Sequence, residues 1–225
     1  SGELTIVPHG RAKEIVNFID QGIEDVSFSR PRKDLSWGIP VPGDDTQTIY
    51  VWCDALVNYL APAEWWPADV HMIGKDILRF HALYWPAMLL SADLPLPKAL
   101  FVHGHITSGG QKMSKTLGNV ADPADLVARY GTDPVRYYLL REIPPTDDGD
   151  FSEAKFRERY EGDLANGLGN FAARVSALTK KAGAERAEAP EAAVLEAIAE
   201  AKKAIRAKMG EYRFHEALAV LWELI

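Results

Sequence analysis

Residues 101–120 read FVHGHITSGGQKMSKTLGNV: an apolar strand end, a glycine-punctuated turn, then two lysines three positions apart. Ala99–Val102 has the pattern of a buried strand leaving a core. Gly109-Gly110 gives the backbone conformations barred to other residues, as a loop pressed close to a ligand requires. Lys112 and Lys115, with the Ser114 and Thr116 hydroxyls beside them, offer two ammonium groups and several donors to a polyanion, and a triphosphate suits that chemistry. By composition alone, Gly-Gly-Gln-Lys is also an ordinary solvated hairpin.

The same strand-turn-helix grammar repeats on both sides. Upstream, Val70–Ile73 reads as a second buried strand, and Gly74-Lys75-Asp76 turns it into a helix running to about Leu90. Such a unit points free backbone N–H groups into the crevice beyond the strand ends, where phosphate binds. Ile77, His81 and Trp85 fall at i, i+4 and i+8, one helical face, with Pro86 expected to kink the helix. A lone histidine on such a face is as often a satisfied core residue as a ligand. Further upstream, Gln47–Trp52 alternates as a strand, and Trp52–Tyr59 enters a helix that places Trp52, Ala55 and Tyr59 near one corner; two aromatics there also serve as simple core plugs. Trp37–Asp44 predicts a rigid, partly buried loop, Asp25–Arg30 a short strand ended by Pro31, and Ala12–Gln21 an amphipathic helix.

Downstream, Asp122 and Pro123 mark the start of a helix to Arg129. Consecutive strand-crossover-strand connections imply a parallel α/β sheet with right-handed crossovers. The strands are too few for a complete doubly wound (Rossmann-like) domain, so the fold class is the C-terminal half of one, followed by an all-α part. That part is predicted from a helix over Pro134–Leu140, a Pro/Asp/Gly connector over Ile143–Asp150 and a long helix over Phe151–Lys181. The long helix carries the stripe Phe156, Tyr160, Leu164, Leu168, Phe171, Val175 and Leu178 at near coiled-coil spacing. Gly183–Pro190 breaks it; Ala192–Met209 and Phe214–Ile225 are further helices. The last stops on an apolar residue without a capping signal, as a bundle cut short would.

The chain has 225 residues, 47% hydrophobic, enough for one substantial core and a smaller unit. A single cysteine, Cys53, excludes a disulfide framework and a CxxC zinc knuckle and fits a reducing compartment. No signal peptide or long apolar span is present, which reads as cytoplasmic with no membrane partner. The formal net charge of −7 argues against indiscriminate nucleic-acid binding. The charge is uneven: residues 1–150 hold 13 Lys+Arg against 20 Asp+Glu, and residues 151–225 hold 12 of each. The neutral second part can present a local basic face to RNA.

Lys112-Met113-Ser114-Lys115-Thr116 resembles the Lys-Met-Ser-Lys-Ser signature of class I aminoacyl-tRNA synthetases, with Thr for the last Ser. Tyr50-Val51-Trp52-Cys53-Asp54-Ala55-Leu56-Val57-Asn58-Tyr59, His71-Met72-Ile73-Gly74-Lys75-Asp76-Ile77-Leu78-Arg79-Phe80-His81 and Trp85-Pro86-Ala87-Met88-Leu89 narrow the resemblance to the methionyl-tRNA synthetase family. The resemblance implies that Trp52, Ala55, Tyr59, Ile77, His81 and Trp85 wall a methionine side-chain pocket. It implies that Gly74 and Asp76 approach the adenosine of ATP, that His103 and Ile106 flank it, and that Lys112, Ser114 and Lys115 reach the phosphates, with Lys112 and Lys115 catalytic. Mg2+ enters as part of the ATP complex. Asn170 and Arg174 match anticodon-contacting positions for tRNA(Met), although a solvated helix face accounts for them too.

Other parts of that pattern are missing. The family's His-Ile-Gly-His signature is absent; His103-Gly104-His105-Ile106 has similar letters in another order. Also absent are the first half of the nucleotide-binding sheet and the connective domain with its zinc cysteines. The expectation is therefore an internal fragment: 1–132 the second catalytic half, 133–150 a stem-contact connector, 151–225 the opening of the anticodon bundle, inactive alone. The alternatives are a fragment of another class I synthetase, for example for leucine, valine or cysteine, and a non-catalytic tRNA-binding paralogue. Oligomeric state is left open.

Overall fold

A computed structural model describes residues 3–61, 63–114, 116–183 and 189–225. The chain divides into two compact units, Ser1–His103 and Gly104–Ile225. This division precedes the lysine loop, whereas the functional division expected from sequence follows it at 132.

The first unit begins with β1 (Thr5–Val7) and α1 (His9–Asp20), then β2 (Ser29–Pro31), β3 (Pro40–Val41), β4 (Asp44–Ile49) and α2 (Val51–Val57). β5 (Val70–Gly74), α3 (Trp85–Ser91) and β6 (Ala99–His103) complete it. β6 is the centre of a three-stranded sheet, parallel to β1 on one side and β5 on the other. Its Leu100, Phe101 and Val102 are all buried, as the continuous apolar run requires of a strand covered on both faces. Leu100 and Val102 pack with Ile15, Ile73, Leu78 and Ala82. The strand β1 is too short to register as a pattern; pairing with β6 makes it a strand.

Several local expectations are corrected. The alternating strand ends at Ile49, and the helix starts at Val51, so Trp52 and Cys53 belong to the first helical turn. The Asp25–Arg30 strand shortens to Ser29–Pro31, pairing with Ile49–Gln47. The Trp37–Asp44 loop is largely exposed, Trp37 at 81%, and Pro40–Val41 joins the sheet edge. Within it the Ile39 carbonyl accepts the Ile49 N–H at 2.7 Å, and just before it the Leu35 carbonyl accepts the hydroxyl of the buried Thr48 at 3.0 Å. The helix after β5 changes its hydrogen-bond ladder just before Pro86. It runs through a 3-10 turn (Lys75–Ile77) and a π segment (Phe80–Tyr84) straight into α3, with Pro86, which has no backbone N–H to donate to the preceding turn, just past the junction.

The second unit contains β7 (Ile106–Ser108), β8 (Gln111–Lys112), α4 (Pro123–Tyr130), α5 (Thr132–Glu142), β9 (Gly149–Phe151), α6 (Glu153–Arg159), α7 (Asn170–Ala182), α8 (Ala192–Gly210) and α9 (Phe214–Trp222). Asp122 caps α4, its carboxylate accepting the Ala124 N–H at 2.8 Å, and Ser152 caps α6 in the same way through the Lys155 N–H. Ile143–Asp150, read as a connector, contributes β9, which runs parallel to β7 from Ile106↔Gly149 to Ser108↔Phe151. Gly104 fits against this segment because a Cβ would stand 2.0 Å from the Asp147 carbonyl oxygen. The core below is Leu126, Val135, Tyr138, Ile143, Phe151 and Phe156.

The long helix is continuous but irregular: a π segment, Tyr160–Gly169, separates α6 from α7. Bonding from i to i+5 widens each turn, so a four-residue spacing no longer holds one face. The expected coiled-coil stripe is not a buried face, and among the described residues none on α7 is buried on any side. Phe156 is buried, whereas Leu168, Phe171, Val175 and Leu178 are exposed. α9 packs on α8 and α5, with Lys208 and Glu216 paired at 2.7 Å between α8 and α9. Among the described residues no helix is long and apolar enough to cross a membrane.

Candidate active site

In the first unit, α2, the 3-10 turn after it (Asn58–Leu60), β5 and the helix after β5 bring Trp52, Tyr59, His81 and Trp85 together with two residues the sequence did not single out, His71 and Phe80. Trp52 stacks on Phe80 with centroids 4.0 Å apart and planes at 13°, and meets His81 edge-on at 6.0 Å. The Tyr59 ring lies 4.3 Å from His71 and 6.1 Å from Trp85. Tyr59 Oη and His81 Nε2 are 2.9 Å apart, and His81 Nδ1 is 3.0 Å from the Ile77 carbonyl oxygen. A carbonyl only accepts, so Nδ1 carries the proton, and Nε2 accepts from the Tyr59 hydroxyl. The chain Tyr59–His81–Ile77 thereby fixes both the tautomer and the ring orientation.

Burial holds this cluster neutral. It lowers the His81 pKa, and it lowers that of His71 to about 4, with His81 adding a smaller repulsion. Burial also raises the Tyr59 hydroxyl. The His71 ring is expected to protonate near pH 4 in an NMR titration, against about 6.5 for a free imidazole. The unfolded chain binds that proton first, so stability falls as pH drops from about 6.5 towards 4 and the loss then levels off. A His71 midpoint at 6.5 or above would contradict its burial against Tyr59.

The cluster is buried on one side and exposed on the other. Ala55 and Tyr59 lie one turn apart on exposed helix surface, whereas His81 and Trp85 are buried. Trp85 packs with Leu56 and Leu89, and its indole N–H has no hydrogen-bond partner among the described residues. The Ile77 side chain packs against the cluster formed by Ile15, Ile73 and Leu100. At the end of β5, a Cβ on Gly74 would lie 2.9 Å from Asp76 Oδ1 and 3.7 Å from the His103 ring, so the bare glycine gathers both side chains around one point.

In the second unit, β7 and β8 form a hairpin whose turn residues Gly109 and Gly110 have φ of 62° and 72°. Two left-handed residues in succession make the tight connection that matches strand twist, and glycine takes it without strain. Lys112 stands exposed on β8, opposite Thr107. Beyond it, the Ser114 N–H donates to Asn119 Oδ1 at 2.8 Å and the Asn119 amide returns to the Lys112 carbonyl at 3.4 Å. Met113 points the other way, into an apolar cavity of about 160 Å³ lined by Leu126, Tyr138 and Phe156. Lys115 lies outside the described residues. Ile106 is on β7, 40% exposed.

Asn170 and Arg174 sit one turn apart on α7, both exposed, along a hollow of about 550 Å³ that Arg141, Asn166, Phe171 and Trp222 also line. Tyr137, beneath it, donates to Asp163 at 2.6 Å and accepts from the Trp222 indole; burial and that carboxylate raise its pKa to about 12. His71 and Phe80 stand within the His71–His81 motif, but nothing in its spacing marks them as partners of Tyr59 and Trp52. Phe80 comes beside Trp52 through the π segment, and His71 beside Tyr59 through the register of β5.

The family model tRNA synthetases class I (M) matches residues 5–176. A methionine–tRNA ligase of Thermotoga maritima is 44% identical over 98% of this chain and 37% of its own length. That of Nostoc sp. is 51% identical over 78% of this chain and 36% of its own. The solved structure of Mycobacterium tuberculosis methionyl-tRNA synthetase in complex with methionyl-adenylate superposes with a TM-score of 0.89 at 40% identity, covering 98% of this chain and 46% of that one. The chain spans less than half the length of these relatives.

Proposed function

The chain belongs to the tRNA synthetases class I (M), and from that premise we propose that it is the methionine-recognising and phosphate-handling part of a cytoplasmic methionine–tRNA ligase. The observation that carries the reading is the neutral aromatic cluster of Trp52, Tyr59, His81 and Trp85, with its oriented hydrogen-bond chain. A thioether is held by shape, dispersion and sulfur–aromatic contact, and a charged wall would select against it. Ala55 and Ile77 complete the walls by the family resemblance.

In the proposed reaction the methionine carboxylate attacks the α-phosphorus of magnesium-bound ATP, the P–O bond to pyrophosphate breaks, and methionyl-adenylate forms. Its acyl group then passes to the terminal ribose hydroxyl of tRNA(Met), releasing AMP. Gly74, Asp76, His103 and Ile106 are assigned to the adenosine, and Lys112, Ser114 and Lys115 to the phosphates. The lysines act by stabilising charge that grows on the phosphates in the transition state, so no protein nucleophile is needed. Residues 1–132 serve catalysis, 133–150 the tRNA stem, and 151–225 the anticodon, through Asn170 and Arg174.

Amino-acid-dependent ATP–pyrophosphate exchange tests this reading. The full-length gene product is expected to exchange with methionine and not with leucine, valine or cysteine, and residues 1–225 alone are expected to be inactive. Exchange driven by another amino acid, or exchange by these residues alone, would overturn it.

A further inference from the structure

Asp150 lies on β9, forty residues from the lysine hairpin in sequence, yet it holds the hairpin turn. One carboxylate oxygen, Oδ1, accepts the Gly110 N–H at 2.8 Å and the Thr107 hydroxyl at 2.8 Å. Gly110 is the second residue of the turn, and Thr107 is the cross-strand neighbour of Lys112. The two contacts therefore fix both the tip of the hairpin and the strand position from which Lys112 projects.

The surrounding backbone makes this clamp rigid. The His105 N–H donates to Asp148 Oδ1 at 2.8 Å, and the Gly149 N–H to the His105 carbonyl at 3.0 Å, so residues 148–150 run as a splint along the base of the hairpin. The chain then enters α6 directly after Phe151, which is buried in the core. A carboxylate suits the position because it can accept two donors on one oxygen and carries none of its own. Both donors hold its pKa below the ordinary carboxylate range, the Gly110 amide contributing most, so it is ionised at neutral pH.

We propose that Asp150 is a positioning residue for the lysine hairpin, acting through Gly110 and Thr107 to aim Lys112 at the phosphates. It touches neither substrate nor reacting atoms. The inference rests on the function proposed above for that hairpin.

The test uses the full-length gene product and three variants. Asp150→Ala is expected to lower kcat in methionine-dependent exchange at least tenfold with the KM for methionine within twofold of wild type. It should also speed hydrogen exchange at the Gly110 amide at least tenfold. Asp150→Asn, which keeps the accepting oxygen, should stay within threefold of wild type in both. Thr107→Val, which removes one donor and keeps the shape, should fall between. A merely structural role would lower Tm in Asp150→Ala while leaving kcat per folded molecule unchanged, and that result overturns the proposal, as does Asp150→Asn behaving like Asp150→Ala. If wild type shows no methionine-dependent exchange, the proposed function falls; the Gly110 amide then still decides whether Asp150 holds the turn.

Discussion

Lys112→Ala in the full-length gene product is expected to slow methionine-dependent ATP–pyrophosphate exchange roughly 100-fold or more, the usual cost of deleting one preorganised donor to developing charge. Lys112 stands exposed on a two-residue strand opposite Thr107. Tm should therefore move little. The loss should fall on kcat more than on the KM for methionine, because the amino acid is assigned to the aromatic pocket. Lys112→Arg keeps the charge but replaces a compact ammonium by a planar fork, and only partial rescue is expected. Wild-type kcat in Lys112→Ala would remove Lys112 from the catalytic assignment.

Trp85→Ala is expected to cost about 3–5 kcal/mol of stability, the range for truncating a buried large aromatic. Trp85 is 1% exposed and packed between Leu56 and Leu89, with Trp66 edge-on at 5.5 Å. The cavity left behind removes support from Tyr59, whose ring is 6.1 Å away. Denaturant unfolding should show the loss directly. Trp85→Phe separates the two roles: it restores part of the volume, deletes an indole N–H that has no partner among the described residues, and should recover most of the stability. If Trp85→Ala cost less than about 1 kcal/mol, the indole would not be the core residue its burial implies.

The apolar stripe that runs over α6, the π segment and α7 is buried at its α6 end and exposed along α7. Phe156, Tyr160, Leu164, Leu168, Phe171, Val175 and Leu178 recur at helical spacing, and spacing alone assigns them one buried face. The π segment breaks the phase after Arg159, and its glycines allow the close turns: a Cβ on Gly169 would lie 3.1 Å from the Leu164 carbonyl. The phase change does not account for α7 itself, where no described residue is buried on any face; spacing marks an apolar face but not whether anything packs on it. Similarly, the strand-to-helix corner at Trp52 was displaced by two residues because β-branched and aromatic residues satisfy either state until the neighbouring strand is known.

The sequence by itself determined the parallel β5–β6 arrangement, the Asp122 cap, the glycine turn ahead of Lys112 and the succession of helices after residue 132. Each of these follows from short-range physics: apolar runs bury, Asp before Pro caps, and paired glycines take left-handed turns. It also determined the family, through the Lys112–Thr116 signature and the aromatic motifs. Only the tertiary structure decided that β1 pairs with β6, that His71 and Phe80 join the Tyr59–His81–Trp52 cluster, and that Asp150 clamps Gly110. Those contacts link residues separated by 12 to 94 positions in the chain, as in Tyr59–His71 and Thr5–Ala99. Nothing in the local sequence specifies them, because the free energy that selects them comes from burial and pairing shared among segments that meet only when the chain has folded.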